Sequence, residues 1–289
     1  MISLFFWVAC ITKTENSACK GLCDSGENNN LYQDDTGQTA LMEPSTEDTS
    51  APTETNCIPN HDGIIERNEY PAQIGLQAAY LLSQNTNVDL VGTTGNNNES
   101  YWDLSHQQNS SDQNVTVHLQ PIEDFWFAED FLDGEYVNVL SYGNEIYGIF
   151  SLHDDGVYLH GMASFASGWT ETKLIYDPPV PLLSFPMQQN TTWQTSTTVT
   201  GFLDGVWAYY DELYESSVDS KGILNTPMGE FPVLRINTKI TRTIGFLEYT
   251  NRSVTFMSEC AGSVTTIQSQ LDETSVNFSS AQEMLRIVP

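Results

Sequence analysis

The stretch Leu234-Arg235-Ile236-Asn237-Thr238-Lys239-Ile240 decides the fold class. It alternates without a break: Leu234, Ile236, Thr238 and Ile240 fall on one side, Arg235, Asn237 and Lys239 on the other. A period of two is the geometry of a β-strand, and a polar second face predicts an antiparallel sheet with one side in water. Working outward, short β-rich runs recur between Gly, Asn, Asp and Pro punctuation across residues 72–289. Strands are predicted at Val115–Leu119, Tyr136–Leu140, Ile146–His153, Val157–Ala163, Lys173–Tyr176 and Trp193–Thr200. More follow at Gly205–Tyr214, Phe231–Thr241, Ser253–Met257 and Ser263–Ser269. Turn chemistry places hairpins at Asp155-Gly156 and Ser220-Lys221-Gly222. Helical spacing is confined to Ile74–Ser83, Phe125–Phe131 and Ser279–Ile287. The expectation is a mainly β chain, one antiparallel sheet domain at 72–289, curved into a half-barrel or folded as a sandwich, with a few short helices.

The chain has 289 residues, of which 39% are hydrophobic, enough for a real core. Acidic residues number 38 against 10 basic, for a formal net charge of -28. Such a chain is repelled by phosphate backbones, which excludes nucleic-acid partners, and an anionic membrane surface is also unfavourable.

The first residues have a different character. Ile2 to Ile11 form one apolar run, too short to span a bilayer (which takes about 18 residues) and placed like the core of an export signal. The basic flank of such signals is missing. Val8-Ala9-Cys10 resembles the end of a bacterial lipobox, whose cysteine is acylated after cleavage, although Trp7 departs from the usual Leu. Cys10 is therefore the expected lipid anchor to a membrane; plain secretion with cleavage near Ala18 is the alternative. Residues 1–23 read as leader and cysteine pair. Residues 24–56 are almost entirely polar or acidic and read as a disordered linker.

With Cys10 acylated or removed, Cys19, Cys23, Cys57 and Cys260 remain, an even number that favours two disulfides in an exported chain. The simplest pairing is Cys19–Cys23 and Cys57–Cys260, one of three possible connectivities. Residues 57–71 contain a half calcium loop. Setting Glu69 at position 12 puts Asn60 at 3, Asp62 at 5, the turn glycine Gly63 at 6, the Ile64 carbonyl at 7 and Glu66 at 9. Ile58 occupies position 1, where a carboxylate belongs, and Pro71 forbids a long exit helix. These residues resemble the second half of an EF-hand-type loop; calcium is the implied cofactor, and a polar Asp-Gly turn is the alternative.

Catalytic motifs are sparse. A two-residue turn at Asp155-Gly156 would pair Asp154 with Val157, His153 with Tyr158 and Ser151 with His160. That puts Ser151, His153, Tyr158 and His160 on one face. The group reads as the solvent side of an amphipathic hairpin, with metal binding or proton transfer as the functional alternative. Acidic pairs such as Asp211-Glu212 follow from composition. Phe125-Trp126-Phe127 and Trp207-Ala208-Tyr209-Tyr210 with Tyr214 either fill the core or stack on a ligand. Five of the ten basic residues, Arg235, Lys239, Arg242, Arg252 and Arg286, come late, to pair with acids or to form a small positive groove.

Several segments resemble uncharacterised lipoproteins of predatory and myxobacteria-like proteobacteria. They are Cys57 with Asp62-Gly63-Ile64-Ile65, Trp102-Asp103-Leu104, Tyr176-Asp177-Pro178-Pro179, Phe185-Pro186 with Trp193, Asn225 to Arg235, and Ser258 to Val264. The Thr226-Pro227-Met228-Gly229-Glu230-Phe231 segment and the late Gly262-Ser263-Val264 are also similar to lipid-carrier half-barrels of the bacterial envelope. The resemblance implies export, attachment to the outer membrane or cell surface, and no catalytic residue. The leader, the linker, the missing catalytic motifs and the half calcium loop leave three functional expectations. The first is a non-catalytic lipid-anchored envelope protein binding an apolar ligand or protein partner. The second is an exported hydrolase of polysaccharide or peptidoglycan. The third is a calcium-stabilised adhesion or matrix module.

Overall fold

A computed structural model of the chain describes residues 57–95, 99–106, 112–142 and 145–289. The leader with Cys10, the Cys19 and Cys23 pair and the linker 24–56 lie outside the described residues. The strands in chain order are β1 (Ile64–Ile65), β2 (Gln77–Asn87), β3 (Thr93–Thr94), β4 (Ser100–Asp103), β5 (Gln113–His118) and β6 (Gln120–Pro121). Next come β7 (Tyr136–Ser141), β8 (Ile146–His153), β9 (Gly156–Ser164), β10 (Lys173–Ser184), β11 (Met187–Gln188) and β12 (Thr192–Leu203). The last are β13 (Val206–Thr226), β14 (Gly229–Ile244), β15 (Leu247–Ser258), β16 (Gly262–Ser269) and β17 (Ser280–Ile287). The chain is mainly β, as the alternation predicts.

One 15-stranded sheet runs in the order β5-β2-β17-β16-β15-β14-β13-β12-β10-β9-β8-β7-β6, with β1 and β11 pairing separately. Its two ends meet: β5 leads through Leu119 into β6, and the Tyr142 hydroxyl at the end of β7 donates to the Thr116 carbonyl of β5 at 3.0 Å. The result is a nearly closed antiparallel half-barrel. Among the described residues, the one parallel contact is β4 beside the second half of β13.

The central strand departs from the expected wet face. On β14, Leu234, Ile236 and Ile240 enter the largest apolar cluster, with Leu174, Tyr176, Val199, Tyr210 and Tyr214. The opposite face is covered as well: Arg235 is 8% exposed and Asn237 5%. Val233 on that face, with Val254 and Phe256 of the neighbouring β15, joins a second cluster built around Trp102, Phe278 and Met284. The alternation therefore marks which cluster each side chain joins, not which side meets water. A third cluster, around Phe127, Phe131, Val137 and Ile149, lies behind β7 and β8.

Four local expectations are corrected. Ile74–Ser83 and Ser279–Ile287 are not helices but β2 and β17. Both strands bury side chains on both faces, so the two-residue alternation is blurred and a dense apolar run imitates helical spacing. Phe125–Phe131 forms lone 3-10 turns at Ile122–Asp124 and Ala128–Asp130 rather than a helix. Ser220-Lys221-Gly222 is no hairpin: β13 runs straight through it with a bulge between Val218 and Ser220. The glycine is there because β4 passes alongside; a Cβ at Gly222 would lie 1.9 Å from the Ser100 carbonyl oxygen.

Candidate functional site

The polar side chains of the LRINTKI face collect in one place. Gln194 of β12, Glu215 and Asp219 of β13, Asn237 and Lys239 of β14 and Arg252 of β15 line a groove of about 750 Å³ on the sheet. Ladder register puts them side by side, with Gln194 opposite Glu215, Glu215 opposite Lys239, and Lys239 opposite Arg252. Val276, in the loop before β17, forms the rim, where its carbonyl accepts from the Asn237 amide at 3.4 Å.

Charge inside the groove is mostly matched. Arg235 grips Asp219 with two parallel bonds, Nε to Oδ1 at 2.8 Å and Nη2 to Oδ2 at 2.9 Å. Its Nη1 donates to the Leu90 carbonyl at 2.5 Å and to Asn277 Oδ1 at 3.0 Å. Lys239 meets Glu215 at 3.2 Å, an exposed pair that contributes little. Arg252 differs. Its Nη1 donates to Asn237 Oδ1 at 3.1 Å, its Nε is buried without a partner, and no carboxylate among the described residues pairs with it.

This arrangement is poor for hydrolysis. Glu215 and Asp219 sit four residues apart on a single strand, about 13 Å between Cα atoms at the rise of a β-strand. They do not oppose each other across a cleft at the separation of about 5–9.5 Å that glycoside hydrolysis requires. Both are also held by cations. Trp193 borders the groove, but it packs against the main apolar cluster and its indole N–H donates to the Pro181 carbonyl at 2.9 Å. The groove suits non-covalent capture, with Arg252 presenting unused donors.

The other late cations are structural. Arg242 binds Glu212 inside the main core, stacks over Tyr210 at 4.2 Å, and shares Glu212 with the Tyr214 hydroxyl. Burial pushes the Tyr176, Tyr210 and Tyr214 hydroxyls well above the ordinary phenol range. Arg286 bonds Asp112, Ser83 Oγ and the carbonyls of Leu104 and His106. Of the aromatic runs, Phe127, Tyr210 and Tyr214 fill cores, whereas Trp207 and Tyr209 are each 63% exposed near the β12–β13 tip.

The half-loop residues are spent on local bonds. Asp62 Oδ1 accepts from the Ile64 N–H at 2.7 Å and Oδ2 from the Asn60 amide at 3.2 Å, while Asn60 Oδ1 accepts from the Asp62 N–H. Glu66 and Glu69 cap the 3-10 turn Arg67–Glu69 reciprocally. Gly63 takes φ +80°, the left-handed turn the motif needs. Glu99 and Glu259, absent from the sequence motif, line a smaller cleft with Asp62, as does Lys221. Among the described residues, no group of three or more His, Cys, Asp or Glu is arranged to hold an ion. Cys57 and Cys260 are joined, with Cα atoms 5.5 Å apart.

The β8–β9 hairpin turns one residue earlier than expected, which shifts every pair by two residues. His153 pairs with Gly156 around Asp154-Asp155, and Ser151 pairs with Tyr158. The His160 side chain still reaches Ser151: its Nε2 lies 2.7 Å from Ser151 Oγ, and His153 Nε2 lies 2.9 Å from the same oxygen. Burial lowers the His160 proton affinity, partly offset by Asp133.

The small positive groove offered as an alternative for the late cations holds only Lys239 and Arg252 of the five, beside the acids Glu215 and Asp219, which sequence reasoning did not place there. What the sequence could not supply was the partner strands.

No family model matches the chain, and no curated protein matches it. Among solved structures, one match is a chain described as "a putative lipoprotein from Parabacteroides distasonis ATCC 8503". It is 13% identical, covers 75% of this chain and 95% of that one, and has a TM-score of 0.34. Likeness at that level leaves function to be argued from the residues themselves.

Proposed function

We propose that the protein is exported, held at the cell envelope by a lipid on Cys10, and acts by binding rather than by catalysis. Its β domain takes a ligand or protein segment bearing a carboxylate into the β12–β15 groove, where Arg252 receives the acid. The observation that carries the export half is the Cys57–Cys260 bond, since such bridges persist in oxidising compartments. The binding half is supported by Arg252, which lines the groove without a carboxylate partner among the described residues, while the groove's own acids are already matched. A carboxylate there forms charge-assisted bonds with a planar guanidinium. The main apolar cluster between the curled strands is filled by its own side chains, which favours a polar ligand over an apolar one. Two experiments test the reading. Labelled fatty acid should enter the protein and be lost in Cys10→Ser; equal labelling of both rejects the anchor. On arrays of acidic peptides and acidic oligosaccharides the protein should retain a subset that Arg252→Met fails to retain; identical profiles reject the groove.

A calcium-stabilised module is the second reading, favoured by Glu99 and Glu259 entering the cleft beside Asp62. They supply acid that the loop lacks at Ile58. Melting with calcium and with chelator decides: a midpoint raised by calcium and returned to baseline in Asp62→Asn supports it, and an unchanged midpoint removes it.

A further inference from the structure

The β8–β9 hairpin carries a cluster that the binding reading does not use. Ladder pairing runs from Ile149 with Gly161 straight to Phe150 with Leu159. His160 is therefore the extra residue of a β-bulge, a device that re-aims a side chain. The re-aimed ring comes to rest over Ser151, two residues before His153 on the neighbouring strand. Two imidazole Nε2 atoms thus converge on one hydroxyl oxygen, at 2.7 Å and 2.9 Å.

A serine hydroxyl has one proton. It can donate to one ring only, so the other ring must turn its own N–H toward the oxygen, and the two histidines are forced into opposite tautomers. An electrophile that accepted both ring lone pairs would remove that conflict. The surroundings favour a cation. Asp133 and Glu135 act on His160, and Asp154 and Asp155 form the turn beside His153. Asp155 is oriented by the Tyr158 hydroxyl at 3.1 Å, and the Tyr158 ring in turn meets the His153 ring edge-on at 5.2 Å. Ser151 is fully buried and forms a floor, while His153 is exposed and leaves the outer side open to water.

We propose that His153 Nε2 and His160 Nε2, with Ser151 Oγ beneath them, form a site for a zinc-like divalent transition-metal ion. Imidazole donors select zinc, copper or nickel over calcium and magnesium. Metal–nitrogen bonds are about 2.0–2.1 Å, so the two rings must adjust to seat an ion beside the hydroxyl. The exposed His153 ring can supply that movement. Both rings then carry their protons on Nδ1, the hydroxyl remains a weak third donor, and water completes the coordination. The site is open on one side, unlike a closed structural zinc site. It is independent of the groove and of the calcium reading.

The test uses the full chain with the Cys57–Cys260 bond intact and Cys10→Ser, Cys19→Ser and Cys23→Ser introduced, so that no free thiol competes. Calorimetric titration with zinc chloride should show one ion per chain. His153→Ala and His160→Ala should each weaken binding at least about tenfold, while Asp62→Asn leaves it unchanged. The exposed His153 change spares the core, so loss of binding there cannot be blamed on unfolding. Electron paramagnetic resonance with copper(II) in place of zinc should show coupling to two imidazole nitrogens. Wild-type affinity in both histidine variants, a spectrum without imidazole nitrogen, or loss of binding in Asp62→Asn would overturn the proposal.

Discussion

Replacing Arg235 by Met isolates the contact that ties β14 to Asp219 of β13 and to the segments carrying Leu90 and Asn277. The guanidinium makes two bonds to Asp219, one to the Leu90 carbonyl and one to Asn277, and stacks over Trp102 at 5.6 Å. Methionine keeps most of the stem volume and removes every donor. Breaking a buried pair by deleting one partner costs about 3–5 kcal/mol. Asp219 keeps 23% of its side-chain exposure and is partly rescued by water, which moves the estimate toward the low end. The Leu90 carbonyl keeps the Trp102 indole N–H at 3.0 Å, so losing the guanidinium there adds little. The net expectation is about 3–4 kcal/mol, which for a domain of this size lowers the melting midpoint by roughly 10 °C. Urea unfolding of the oxidised protein, followed by far-UV circular dichroism, measures it. A cycle with Asp219→Asn should give a double variant at least about 1 kcal/mol less destabilised than the sum of the singles. A loss below about 1 kcal/mol in Arg235→Met, or strict additivity in the cycle, would refute the assignment of this pair as a buried, coupled interaction.

Other consequences are equally checkable. Cys57 and Cys260 are 203 residues apart. Reducing their bond, or replacing both by Ser, should cost about 5 kcal/mol on the chain-entropy account; a midpoint unmoved by reductant contradicts it. Gly222→Ala drives a methyl into the Ser100 carbonyl, so β4 must shift away from β13 and uncover Trp102. We expect a loss of about 1–3 kcal/mol and faster proteolysis between residues 95 and 106, and wild-type behaviour in both assays would refute the packing argument. Burial holds the Glu283 carboxyl above its ordinary value, so the folded chain binds that proton more tightly than the unfolded chain. The stability it contributes is present below the ordinary carboxyl range and is lost as pH rises through the raised value. Glu283→Gln should therefore melt above wild type at about pH 8 and level with it at about pH 4; the reverse order defeats the sign.

Much of this architecture is legible in residue order. The LRINTKI alternation and the β-branched runs describe local backbone geometry, and the mainly β antiparallel sheet they predict is the sheet that forms. The pairing of Cys57 with Cys260 was the simplest choice, and it is the pair that is joined. The misreadings share one cause. Ile74–Ser83, Ser279–Ile287 and Ser220-Lys221-Gly222 owe their conformation to neighbours far away in sequence: β17 and β5 around β2, β16 and β2 around β17, and β4 beside Gly222. The groove is hidden for the same reason. Arg252 and Asp219 become one site only when β13, β14 and β15 align in register. His160 reaches Ser151 only because a bulge displaces it, and a bulge of one residue leaves no mark in the pattern on either side.

The account rests on an exported chain tied to a membrane at one end and locked by a bridge where the domain begins. Peptide mapping by mass spectrometry of the protein purified from its own cells, without reductant, reads both features at once. The expected result is a mature chain beginning at an acylated Cys10, with the Cys57 and Cys260 peptides recovered as one linked species. A chain beginning at an unmodified Met1, with Cys57 and Cys260 recovered as free thiols, contradicts it.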